Sequence, residues 1–151
     1  MSVWIALHVL AAVVWVGGMF FAWQCMRPAV GEAVAPEQRP ALWYPTLSRF
    51  FRWVWAAVII LPVSGYMMVF RHLGGMSQAG WHVHVMQALG IVMILLFLHV
   101  FFAPYRRLGR ALESDDTQDG LHRIGQIRRF VGINLLLGLV VVVIGAAGRY
   151  L

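Results

Sequence analysis

The stretch WHVHVMQALGIVMILLFLHVFFAPY, residues 81–105, decides the fold. It contains no Asp, Glu, Lys or Arg, and a helix needs about 20 such residues to cross a bilayer. Residues 2–26, 53–70 and 130–148 are also free of these four residue types. Because helices satisfy their own backbone polar groups in lipid, the pattern predicts an all-α integral membrane four-helix bundle. Residues 1–151 would form one transmembrane domain.

The composition excludes an ordinary water-soluble domain. Hydrophobic residues make up 61% of the chain and charged residues 12%, whereas soluble domains have roughly 45–50% and about 25%. An intrinsically disordered chain is excluded as well, because it would need low hydrophobicity and high charge. The formal net charge is +6, and every basic residue is Arg. These arginines flank apolar segments, so membrane topology explains them and no nucleic acid partner is predicted.

The arginines lie mostly on one side of the predicted bundle. Ten of the twelve fall at the ends of the spans that face this side: Arg27, Arg39, Arg49, Arg52, Arg106, Arg107, Arg110, Arg123, Arg128 and Arg129. The positive-inside bias makes that side cytoplasmic and places both termini in the periplasm of a bacterial inner membrane. Pro36, Pro40 and Pro45 predict that no long regular helix precedes the second span.

The histidines are the candidate functional residues, since ionisable groups within a span are costly and usually face the bundle interior. His8 would lie about 8 Å inside the first span and His84 about 5 Å inside the third, both near the outer face. His99 would lie roughly 22 Å further along the third span, too far to share a metal ion with the other two.

The first chemistry that fits this pair is b-type haem, with His8 and His84 as axial iron ligands. The chain has one cysteine, Cys25, so no CxxCH motif is present to attach a c-type haem. Arg149 emerges on the same outer face, where its guanidinium would pair with a haem propionate or anchor to lipid headgroups.

The second chemistry is copper, because thioethers and imidazoles suit Cu(I). The outer face gathers several such side chains: Met67, Met68, Met76, Met86, His72, His82 and His84. His82, Met86 and His99 are therefore further candidate metal ligands. On the inner side, Cys25, Met26 and His99 would form a second soft site.

Small residues mark the face of the first helix that packs in the bundle. The spacing Trp4, His8, Ala11, Trp15, Gly18, Ala22 and Cys25 is a continuous stripe that turns His8 toward the interior. Such stripes serve close helix packing or leave room for a flat macrocycle, and they allow a homo-oligomer. Asn134 in the fourth span predicts a polar contact between helices.

Several short motifs resemble the CopD-like membrane proteins and the related HemJ-type protoporphyrinogen oxidases. They are HVLAAVVWVGGMFF from His8, LSRFFRWVWAAVIILPVSGYMM around Pro62, GWHVHVMQALG followed by His99, and RRFVGIN with Asn134. The resemblance to HemJ implies b-type haem and a key first-helix histidine, which His8 matches. The third-helix histidine maps to His84, or to His82 if the alignment shifts. The chain has no Lys to match the HemJ third-helix lysine, and Leu135 replaces its fourth-helix acidic residue.

The sequence thus predicts an inner-membrane redox protein that holds one haem b through His8 and His84. Lipid and either a quinone or another redox protein would be its partners. If it is an enzyme, it would be a haem-dependent membrane oxidoreductase. The alternatives are a copper-binding or copper-transport protein of CopD type and a cofactor-free membrane subunit.

Overall fold

The computed structural model describes all residues, 1–151, and is entirely helical. Four helical rods are long and apolar enough to cross a membrane: Ser2–Ala33, Pro36–His72, Trp81–Glu113 and Thr117–Ala147. This confirms the four predicted spans. Each rod extends beyond its charge-free segment at one end or both.

Two of the rods contain a widened turn. The first rod comprises α1 (Ser2–Phe21), a π turn (Ala22–Met26) and α2 (Arg27–Ala33). The second has a short 3₁₀ turn (Pro36–Gln38) and then α3 (Arg39–His72), and another 3₁₀ turn (Met76–Gln78) follows it. The third comprises α4 (Trp81–Val100), a π turn (Phe101–Tyr105) and α5 (Arg106–Glu113). The fourth is α6 (Thr117–Ala147), capped by the Asp116 side chain.

Prolines account for the position of both π turns. The first turn ends two residues before Pro28, and the second contains Pro104. A proline has no backbone N–H and its ring clashes with the carbonyl four residues earlier. A locally widened turn relieves that clash without ending the helix.

The prediction that prolines interrupt the chain before the second span is wrong for two of the three. Helix α3 begins at Arg39 and runs through Pro40 and Pro45. Pro40 lies in the first turn, where a backbone N–H has no helical partner, and it packs against Gly120 of α6. Tyr44 stacks on Tyr105 with ring centroids 5.1 Å apart. Tertiary packing therefore holds this segment helical.

The rods pack as two pairs. Helix α1 packs chiefly on α3 and α4 chiefly on α6, while α6 also contacts α1 and α3. Helices α1 and α4 are thus not one of the closely packed pairs. Aromatic rings fill the centre between them, where Phe97 makes edge contacts with Trp15, Phe51 and Trp55.

The bundle is longer than a bilayer is thick. Rods of 31 to 37 residues span roughly 46 to 56 Å, whereas the hydrocarbon core is about 30 Å thick. The excess is largely at the end that carries the ten arginines, hereafter the arginine-rich end. The opposite end, with His8, His72, His82 and His84, is the histidine-rich end.

Candidate functional site

His8 lies in the interface between α1 and α3, where it meets Ser64. The Nδ1 atom of His8 is 2.9 Å from Ser64 Oγ, and Ser64 is only 1% exposed. The ring also lies beside Gly65, whose missing side chain leaves space for it: a Cβ there would sit 3.4 Å from His8 Cε1. His8 therefore faces the bundle, as its position in the α1 stripe predicts.

The hydrogen bonds of Ser64 decide which nitrogen of His8 is free. The Ser64 hydroxyl donates to the carbonyl of Ile60, with an O–O distance of 2.6 Å. A serine has a single hydroxyl proton, so its oxygen accepts the hydrogen bond from Nδ1–H of His8. In a neutral imidazole with this tautomer, the remaining lone pair is on Nε2. A histidine whose Nδ1–H is held by an acceptor while Nε2 stays free has the arrangement that metal-binding histidines usually show.

Two methionines lie on the face of α3 that carries Ser64. Met67 and Met68 follow Ser64 by three and four residues, which places them on the same face of α3 and about one turn nearer the histidine-rich end. Both are half-buried. The α1–α3 interface therefore offers one oriented imidazole, and the face of α3 that carries its partner Ser64 also carries two thioethers.

A second group of soft ligands lies on α4. The His82 and Met86 side chains point at the last turns of α6, where Gly148 and Gly145 leave room for them. The two residues are four apart and so lie one above the other on the helix. They face α6 rather than the α1–α3 interface.

The other predicted ligands at this end are at the surface. His84, His72 and Arg149 are all exposed. No hydrogen bond or ring contact joins the imidazoles of His8 and His84. Instead, Gln87 of α4 donates a 2.8 Å hydrogen bond to the Tyr66 hydroxyl of α3.

The residues of the predicted inner site lie largely at the surface. Cys25 and His99 are exposed and Met26 is half-buried. The His99 ring makes an edge contact with Phe130, with centroids 4.8 Å apart. Nowhere do three His, Cys, Asp or Glu side chains converge as a metal site.

The predicted polar contact of Asn134 is confirmed. Its amide Nδ2 donates to the backbone carbonyl of Met93 at 3.2 Å, which ties α6 to α4 in the middle of the bundle. The other amide atom, Oδ1, is buried without a partner. A small cavity of about 20 Å³ lies beside it.

Sequence reasoning missed Ser64. The available signal was a hydroxyl residue two positions after Pro62 in an apolar helix. A serine in a membrane span commonly bonds to its own helix, as Ser64 also does, so its partnership with a residue 56 positions away needed the fold.

Comparison with known proteins places the chain in a family. The family model for copper resistance protein D matches residues 44–147, which include most of α3 and all of α4 and α5. The chain belongs to the copper resistance protein D family. With four apolar helices, this family member is a multi-pass protein of the bacterial inner membrane. No curated protein and no solved structure matches the chain.

The match to the copper resistance protein D family includes Ser64 and the α4 histidines but not α1. His8 therefore lies outside the family match, and its contacts in the structure alone indicate a role for it. The resemblance to HemJ-type oxidases is not part of this match and stays a prediction.

Proposed function

We propose that this copper resistance-type membrane protein receives Cu(I) at its histidine-rich end and handles it in copper uptake or tolerance. The observation that supports this most directly is the hydrogen bond between His8 and Ser64. It directs Nε2 of His8 away from Ser64 as a free ligand. Met67 and Met68 would supply the thioethers that favour the cuprous ion.

Copper accounts for the observed positions better than haem does. Haem b would need His84 as the second axial ligand and Arg149 at a propionate. His84 is exposed, and α1 and α4 do not form a packed pair. A site of one imidazole and neighbouring thioethers uses residues on two helices that already pack together. Haem binding through His8 and His84 remains the alternative for the experiment to decide.

The test is Cu(I) binding to the purified protein, measured anaerobically by competition with the chelator bicinchoninate. We expect one tight site, and we expect His8→Ala to weaken it at least about tenfold, which is roughly 1.4 kcal/mol. His122→Ala is the matched control, because His122 is an exposed histidine at the other end of the bundle. It should bind like the wild type.

Reduced-minus-oxidised spectra of the same preparations decide between the two cofactors. If the wild type contains near-stoichiometric b-type haem and both His8→Ala and His84→Ala lose it, the cofactor is haem and not copper. Equal Cu(I) affinity of His8→Ala and His122→Ala would also reject the copper site.

A further inference from the structure

A large cavity opens at the arginine-rich end, far from the proposed copper site. Its volume is about 340 Å³, within the range of small-ligand sites. The first rod, α3 and α6 surround it, with walls formed in part by Val30, Leu47, Ile127 and Val131. It is thus a pocket between transmembrane rods, at the level where they leave the bilayer.

Three guanidinium groups line this cavity, and no carboxylate does. They belong to Arg27, Arg39 and Arg128. None of them makes an ion pair, since the single salt bridge of the protein joins Arg123 to Asp119. Three unpaired positive charges around one cavity favour an anionic ligand.

Two of these arginines are held in place before any ligand binds. Arg39 donates hydrogen bonds to the carbonyls of Val34 and Gly31, both at 3.1 Å. This uses two of its five N–H donors and leaves three free. The guanidinium of Arg27 lies over the Trp23 ring, 4.5 Å from its centroid. Such preorganisation reduces the entropy that a ligand must overcome on binding.

The remaining lining shows what kind of anion fits. Trp23 and Trp43 stand among aliphatic side chains, so the cavity combines an apolar lining with three arginines. Guanidinium groups recognise phosphate oxygens through paired hydrogen bonds. A free phosphate would use the arginines alone, whereas a phospholipid would use the arginines and the apolar lining.

We propose that this cavity binds the phosphate headgroup of an anionic phospholipid. The arginines hold the phosphate, and the glycerol and the first acyl carbons lie along the apolar lining. The arginine bias predicts that this end faces the cytoplasm, whose leaflet supplies anionic lipids, and basic pockets between transmembrane helices bind such headgroups.

The experiment uses the full chain in a neutral detergent. Phosphatidylglycerol, phosphatidylcholine and inorganic phosphate are added separately, and the melting temperature and the lipid retained in native mass spectra are measured. We expect phosphatidylglycerol alone to raise the melting temperature and to remain bound at one molecule per chain. Equal stabilisation by phosphatidylcholine would overturn the proposal. Equal stabilisation by inorganic phosphate would assign the site to a free anion and reject the lipid.

Two variants and a control locate the site. Arg128→Gln and Arg27→Gln change exposed side chains, so both should fold. Each should weaken phosphatidylglycerol binding by roughly tenfold or more, because a charge-assisted hydrogen bond is lost. Arg49→Gln removes an exposed arginine of the same end that does not line the cavity, and it should bind lipid like the wild type. Equal lipid affinity of all three variants and the wild type would overturn the proposal.

Discussion

The hydroxyl of Ser64 determines the tautomer and the orientation of the His8 ring. A half-buried imidazole without a fixed partner would exchange between two tautomers and two orientations. In this protein, the Ser64 hydroxyl oxygen accepts a hydrogen bond from Nδ1–H, and its O–H donates a hydrogen bond to the backbone carbonyl of Ile60. The residue that makes a histidine suitable as a ligand is therefore a serine on another helix.

We expect Ser64→Ala to weaken Cu(I) binding by about tenfold, because partners of ligand histidines typically contribute 10- to 100-fold to metal affinity. The competition assay described for His8 measures it. Ser48→Ala, at the arginine-rich end of the same helix, is the control and should bind normally. If the two serine variants have the same affinity for Cu(I), Ser64 does not orient His8.

The small residues of α1 determine how closely this helix packs against α3. Gly18 lies so close to Phe50 of α3 that a Cβ there would overlap the ring, whereas Gly17 has nothing within 4 Å. The two neighbouring glycines thus have different roles. Gly18 allows α1 and α3 to approach, and Gly17 faces away from the bundle.

We expect Gly18→Ala to destabilise the bundle by about 1–3 kcal/mol, since overpacking displaces Phe50 and the helix behind it. Gly17→Ala should be neutral or slightly stabilising, because alanine favours a helix over glycine by roughly 0.5–1 kcal/mol. Unfolding in mixed detergent, followed by circular dichroism, compares the two. If Gly17→Ala destabilises the bundle as much as Gly18→Ala does, Gly18 is not the residue that allows α1 and α3 to approach.

The membrane-spanning helices can be predicted from the sequence, but the residues that each helix packs against cannot. The charge-free stretches identify all four rods because lipid imposes the same apolar requirement on each. The helical path through Pro40 and Pro45 escaped prediction, since it depends on Gly120 and Tyr105, which are distant in sequence. The same holds for the site. The position of His8 in the stripe indicated an interior side chain, but only the fold pairs it with Ser64.

The whole molecule carries a strong charge asymmetry along its axis. Ten arginines lie at one end, and the other end has only Arg71 and Arg149. This asymmetry predicts that both termini face the periplasm. Alkaline phosphatase fused after Leu151 should then be active, and a fluorescent protein that folds only in the cytoplasm should be dark at the same position. A bright fluorescent fusion with an inactive phosphatase would reverse the orientation.

The aromatic rings at the centre of the bundle also affect whether ions can cross it. Phe51 and Phe97 are almost fully buried, and Trp15, Trp55, Phe101 and Tyr105 contact them directly. Such a core is an insulator, and an ion crossing it would lose its hydration and also move through a potential worth about 2.3 kcal/mol per charge per 100 mV. We therefore expect the bundle in this conformation to oppose the passage of protons and metal ions. A membrane that holds many copies of it would then keep its ion gradients.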